Sequence, residues 1–262
     1  MIWFFIKKNF FDGWDNLISI ILYNGIFLAL AVLGFFSTGA AFGLNPVMGF
    51  ASVFLFMFLF MVFVFAVNQT TAKYADYKAP GIKDTFLEIP SVWKDALLLT
   101  LYIGFLVIVA TNVMPFYWHL GTLFGVFLAS LVFWLLVVAV LALQWYFPIR
   151  AQLGNNFKKA MKKSFMLFFD NAGFSVFLFF YFIFLLVLSI IFMSIMPGIS
   201  GFLLAYNNAF KLRLYKYDWL DAHPELNRRK AVKQIPWDEL LAEDKEILGP
   251  RTLRGLLFPW KD

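Results

Sequence analysis

Five long stretches of the chain, residues 17–38, 47–67, 96–113, 120–147 and 172–196, contain no Asp, Glu, Lys or Arg. Crossing the roughly 30 Å hydrocarbon core of a bilayer takes about 20 apolar residues in a helix. Each stretch therefore predicts a transmembrane helix. The first is long, follows amphipathic sequence and lacks a small-residue cleavage site, so it reads as a retained span rather than a signal peptide. A sixth stretch, residues 198–210, is shorter and holds Tyr206, Asn207 and Asn208. On length alone it suits an interface.

The placement of charge decides in favour of a sixth span. The 22 Lys and Arg residues fall in four places. Lys7 and Lys8 precede the first span. Lys73, Lys78, Lys83 and Lys94 lie between the second and third, and Arg150, Lys158, Lys159, Lys162 and Lys163 between the fourth and fifth. The remainder run from Lys211 to Lys261. The other connections, at residues 43–46, 115–119 and 197–201, carry no charged side chain. Basic loops are retained in the cytoplasm, and six spans with both termini inside satisfy that rule everywhere. Five spans would place the whole basic C-terminal segment outside.

Composition agrees and narrows the function classes. Of 262 residues, 62% are hydrophobic and 15% charged, with 36 phenylalanines and a formal charge of +6. A soluble domain averages about 25% charged residues and could not bury this much apolar surface. The chain has no cysteine, which removes disulfides and thiol chemistry, and only two histidines, His119 and His223. These lie on opposite sides of the predicted membrane, so no multi-histidine metal centre is expected. The spans hold no ionisable residue of the kind that proton- and ion-coupled carriers keep in the membrane. No Walker loop, glycine-rich phosphate cradle or HExxH motif occurs. The reading is a non-enzyme without cofactor or metal. The net positive charge is explained by the membrane border, so no nucleic-acid partner is expected.

Three segments resemble one another: KNFFDGWDNLISIILY from Lys8, KDTFLEIPSVWKDALLLTLY from Lys83 and KAMKKSFMLFFDNAGFSVFLFF from Lys159. Each runs from basic residues through an aromatic amphipathic stretch to Asp or Asn and then a span, with Trp14–Asn16, Trp93–Asp95 and Phe169–Asn171 in equivalent places. Lys and Trp suit the headgroup layer, while Phe and Leu dip below it. The expected fold is thus an all-α, polytopic membrane bundle of six transmembrane helices, arranged as three hairpins each preceded by an interfacial amphipathic helix. The even spans carry amides near their cytoplasmic ends: Asn68 and Gln69, Gln144, and Asn207 and Asn208. About a common axis these form a candidate polar cluster, serving as packing and capping or as a cytoplasm-facing vestibule or lipid-headgroup site. Lys158, Lys159, Lys162 and Lys163 are candidate contacts for anionic lipid, since each Lys near such a surface contributes about 1 kcal/mol.

Beyond residues 1–217, the transmembrane domain, the segment 218–262 changes to a polar, nearly neutral tail. Pro236 can begin a short helix in which Trp237, Leu240, Leu241, Ile247 and Leu248 recur at helical spacing, and Gly249-Pro250 ends it. A disordered tail has little use for such residues or for Leu256, Leu257, Phe258 and Trp260. Trp237, Leu240, Leu241, Leu257, Phe258 and Trp260 are candidate docking residues, toward either the chain's own helices or a partner subunit.

The segments FFDGWDNLISIILYNGIFLAL and WYFPIRAQLGNNFKKAMKKSFMLFFDNAG resemble the bacterial YesL-type integral membrane family. The shared features are the amphipathic FFDGWDN, Asn24 within the first span, and Tyr146-Phe147-Pro148 before a basic amphipathic segment. The likeness covers about residues 1–217. It implies a multi-pass protein of the bacterial inner membrane, associated with carbohydrate uptake, and no reaction. The expected function is a non-enzymatic accessory or regulatory subunit of an inner-membrane complex linked to carbohydrate ABC transport, with membrane lipid and other transport subunits as partners. The alternative is a carrier or channel for a small or lipid-like solute, acting alone or as a homo-oligomer.

Overall fold

The computed structural model describes residues 1–225, 231, 232 and 234–251. Among these the chain is entirely helical and contains no strand. Helices α1 (Ile2–Asp15), α2 (Leu17–Leu44) and α3 (Pro46–Ala75) are followed by α4 (Ile82–Leu87) and α5 (Ile89–Ile108). A π-helical turn (Val109–Val113) joins α5 to α6 (Met114–His119), and α7 (Leu123–Leu153), α8 (Phe157–Asp170), α9 (Ala172–Ile191) and α10 (Gly198–Ala222) complete the bundle. Two short helices, α11 (Trp237–Leu240) and α12 (Ala242–Leu248), lie in the tail. Five segments are long and apolar enough to cross a membrane: α2, α3, the continuous Ile89–His119 segment, α7 and α9. This is the composition of a multi-pass membrane protein. The sixth expected span lies in α10, a continuous 25-residue helix that is not among these five.

Local chemistry sets the helix ends. Asn45 caps α3 by accepting a hydrogen bond from the Met48 amide at 2.8 Å, with Pro46 in the first turn. Thr122 caps α7 through the Gly125 amide, and Asn156 caps α8 through the Lys159 amide. The fifth apolar stretch stops being helical at Ile191, because Met193 and Ser194 adopt φ of 53° and 60° before Pro197. Such left-handed backbone cannot continue a right-handed helix.

Packing is concentrated at one end. Residues 61–75 of α3, the Ala142–Ile149 part of α7, the first half of α5 and the Leu203–Leu212 part of α10 form the buried core. The opposite ends of α2, α3 and α7 expose large apolar side chains such as Phe35, Phe36, Leu44, Val47 and Leu123. Helix α10 is at the centre, packing on α1, α2, α3, α7 and α9. It is also the most polar of the long helices, and it buries Ser200, Asn207, Asn208, Arg213 and Lys216.

Asn24 of α2 ties the α9–α10 turn. Its amide nitrogen donates to the carbonyls of Ile195 and Pro197 at 3.0 and 2.7 Å, and its carbonyl oxygen accepts from the Ser200 amide and hydroxyl at 3.1 and 2.8 Å. Gly198, at φ 57°, leaves the space this side chain needs: a Cβ there would lie 2.4 Å from the Asn24 amide group. Asn24 is about 30 Å along α2 from the α2–α3 turn, at 1.5 Å per residue. The start of α9 is held at a similar level, where Ser175 meets Gln144 and Trp145 of α7, again about 30 Å from the start of α7. Both ends of α9 therefore lie at one level, and α9 runs across the packed end of the bundle beside α1, with Phe5 against Phe174, Phe177 and Tyr181.

Helix α1 is not a simple surface helix. It buries Phe4, Phe5, Phe11, Lys8, Asn9 and Asp12. Helix α8 does keep the amphipathic form, with Ala160, Ser164, Leu167 and Phe168 turned inward.

Replacing Asn24 by Leu should lower stability in detergent by about 2 kcal/mol, since interhelical bonds in membranes average about 0.6 kcal/mol each and four are lost. Gly198→Ala should destabilise by itself. Combined with Asn24→Ala it should cost less than the sum, and thermal unfolding of the four proteins measures that coupling.

Candidate functional site

The candidate site is the ionic junction where α1, the end of α3, α10 and the tail meet. On α1, Lys8 and Asp12 are one helical turn apart and pair at 2.8 Å with almost no exposure, 0% and 3% at the side chain. Helix α3 ends at Ala75, whose carbonyl has no acceptor role within the helix. The ammonium groups of Lys8 and Lys211 both donate to it, at 3.0 and 3.1 Å, which also suits the negative end of the helix dipole. Tyr77, at φ 57°, places its ring 3.6 Å from the Lys8 nitrogen and 4.6 Å from that of Lys211. Lys211 reaches Asp76 and the buried Asp244 of α12, each at 3.5 Å. Burial pushes the Lys8 ammonium below its ordinary range although Asp12 opposes the shift, and pushes the Asp12 carboxyl up although Lys8 opposes it.

The tail is seated here by its own chain. Ile235, Leu241 and Leu248 are buried. Lys7 donates to the Gly249 carbonyl at 3.2 Å, and a single Arg251 nitrogen, Nη1, donates to both carboxylate oxygens of Asp15, at 2.9 and 2.8 Å. Trp237 is half-buried beside the Arg213 guanidinium, which also covers the Phe174 ring at 4.1 Å. Leu240 is half-buried. Leu257, Phe258 and Trp260 lie outside the described residues.

Of the candidate amide cluster, Asn68 and Asn207 meet directly at 2.9 Å; Asn68 also donates to the Phe147 carbonyl, and Gln152 of α7 donates to Asn207. Gln144 instead faces α9 and bonds the Ser175 carbonyl. Asn208 donates to Asn9 of α1 at 3.3 Å. Gln69 is half-buried and makes no side-chain bond to these amides among the described residues. The five are thus divided between three interfaces, because residues one position apart on α3 or α10 point about 100° apart. Lys158, Lys159, Lys162 and Lys163 are all exposed on the outer side of α8, which they share with the exposed Met166 and Phe169.

Sequence reasoning treated Lys8 as a border charge and missed the junction. The one signal was the Lys8–Asp12 spacing of four, which puts both on one helix face. It did single out Asp15, Asp95 and Asp170 through their equivalent segments. Asp15 pairs with Arg251, while Asp95 and Asp170 pair with Arg150 and Lys216 at the ends of α7 and α10.

The junction is built of compensated charges and can fix geometry, but it offers no nucleophile held by a base. Each histidine ring bonds a carbonyl four residues earlier, Pro115 for His119 and Trp219 for His223. Among the described residues no group of three His, Asp or Glu side chains is placed to hold a metal ion. The chain matches no family model, and no curated protein and no solved structure matches it.

Removing one partner of a buried pair strands the other. Asp12→Asn should cost about 3–5 kcal/mol, whereas Lys8→Met combined with Asp12→Leu should remain close to the parent in melting temperature. In Asp12→Asn the remaining Lys8 has a folded-state pKa below its unfolded value of 10.5. The unfolded state then binds more protons in that interval, so stability should rise as the pH is raised toward 10.5. Lys8→Met should abolish the rise.

Proposed function

We propose that the protein is a non-enzymatic accessory subunit of a complex in the bacterial inner membrane, and that its partner contact is made within the bilayer. The YesL-type resemblance supports a link to carbohydrate ABC transport. The observation that carries the reading is the small-residue face formed by Gly39, Ala40 and Gly43, three and four positions apart on the loosely packed end of α2. Both glycines are exposed, and a side chain at either would meet nothing within 4 Å. Such spacing lets a second transmembrane helix approach closely. The most apolar windows of Ile89–His119 and Leu123–Leu153 are only 11% and 17% buried, leaving further surface for neighbouring helices. Among the described residues, Leu241 and Leu248 of the tail are occupied within the chain.

In this reading both termini and all basic connections are cytoplasmic, a placement supported by the bias of Lys and Arg toward that side. The α2–α3 and α6–α7 connections reach the outer face. The α9–α10 pair enters from the cytoplasmic side and, anchored at Asn24, turns back at that level, which also returns the tail to the cytoplasm. A carrier for a lipid-like solute is the second reading, favoured by an apolar groove between α1 and α9.

Purification in mild detergent followed by mass spectrometry should recover stoichiometric membrane partners. Gly43→Leu should reduce that recovery several-fold without lowering the melting temperature. A lone protein that moves solute in liposomes would overturn the proposal in favour of the carrier. Because the parent has no cysteine, single cysteines report topology without background. A membrane-impermeant maleimide added from outside should label Gly121→Cys but not Ser194→Cys.

A further inference from the structure

A groove of about 550 Å³ runs between α1 and α9 and is closed at its base by the α9–α10 turn. Its walls are almost wholly apolar: Phe10, Trp14 and Leu17 on one side, Phe184, Leu185 and Leu188 on the other, with Met196 and Pro197 at the bottom. Two cations, Lys7 and Arg251, also line it. The two differ in what they face. Arg251 is already neutralised by Asp15. Lys7 has only the Gly249 carbonyl at 3.2 Å, and no carboxylate reaches it among the described residues.

The combination has the form of a site for an amphiphile. Its volume lies in the range of small-ligand cavities, and a purely apolar occupant would leave the Lys7 charge at the rim without a counter-charge. Helix α1 carries Trp3 and Trp14, the residue type that settles at the headgroup level. In a bilayer the most abundant molecule with a negative head and an apolar tail is an anionic phospholipid. We propose that the groove binds one anionic phospholipid, with an acyl chain along Phe184, Leu185 and Leu188 and the phosphate at Lys7. The site is separate from the lysines of α8, and it does not depend on the identity of any protein partner.

Gly13 provides a way to fill the groove without disturbing its walls. A Cβ at that position would sit at ordinary contact distance, 3.9 Å from Leu204 and 4.0 Å from Ile20, so that a longer side chain continues into the cavity. The full chain is delipidated in detergent and offered phosphatidylglycerol or phosphatidylcholine in mixed micelles, and bound lipid is counted by native mass spectrometry. One phosphatidylglycerol should be retained in preference to phosphatidylcholine. Lys7→Gln should lower that retention about fivefold, the effect expected of one lysine at an anionic surface, and should leave phosphatidylcholine unchanged. Gly13→Leu should abolish the tight phosphatidylglycerol, with melting temperatures reporting that both variants remain folded. Lys163→Gln on α8 should have no effect on this lipid. Phosphatidylglycerol brominated along its acyl chains should quench tryptophan fluorescence less in Trp14→Phe than in the parent. Equal retention of the two lipids, or a Lys7→Gln protein indistinguishable from the parent, would overturn the proposal. So would a chain shortened after Arg251 that gains a phosphatidylglycerol the full chain lacks, which would make residues 252–262 the occupant.

Discussion

Hydrocarbon cannot satisfy a hydrogen bond, and the arrangement of this protein follows from where it keeps the helix that needs them. Helix α10 carries the polar side chains and is surrounded on all sides by its own chain, while the lipid-compatible helices stand outside it. Because lipid tails are as apolar as the helices they solvate, burying Phe and Leu does little to hold such a bundle together. What holds it is the set of polar contacts at one end: Asn207 to Asn68, Ser200 to Asn24, and Lys211 to the end of α3 and to Asp244. Packing is dense where these contacts are. It loosens toward the turns at Asn45 and Gly121, where the polar groups bond within their own hairpins, as Asn45, Thr122 and the Thr38–Ser52 pair do.

The same constraint explains what could be read from the sequence and what could not. Apolar runs identify α2, α3, the Ile89–His119 segment, α7 and α9, because nothing else in a chain tolerates 20 uncharged residues. Hydropathy undervalues α10, since it scores Asn207, Asn208, Arg213 and Lys216 as exposed groups when each has partners inside the bundle. Lys8 misleads for the same reason: a lysine near a predicted membrane border is usually at the surface, and only the position of Asp12 one turn later argues otherwise. The Asn68–Asn207 contact was legible as amides at corresponding ends of two expected spans. Gln144 was not separable from them, because its direction depends on the rotation of α7, which composition does not encode. The course of α9 across the bundle was equally hidden, since an apolar helix has one composition whether it stands upright or lies down.

Three surfaces then divide the work. The basic, outward side of α8 lies opposite its packed face. The small-residue face at the far end of α2, at Gly39 and Gly43, is exposed and open. The groove beside α1 adjoins the seat of the tail, so Lys7 takes part in both: its nitrogen bonds the Gly249 carbonyl while its stem lines the groove. Whatever fills the groove and whatever holds the tail are therefore neighbours in energy as well as in space.

The contacts of the first helices also bear on how the chain is made. Asn24 and Asn9 lie far ahead in the chain of the groups they bond, the Pro197 carbonyl, Ser200 and Asn208. Until α9 and α10 are in place the Asn24 and Asn9 amides lack these partners, whereas Lys8 and Asp12 already have each other on α1. A chain without α10 thus shows to its surroundings two amides that the finished bundle conceals, and its first two helices gain these ties only when that helix arrives.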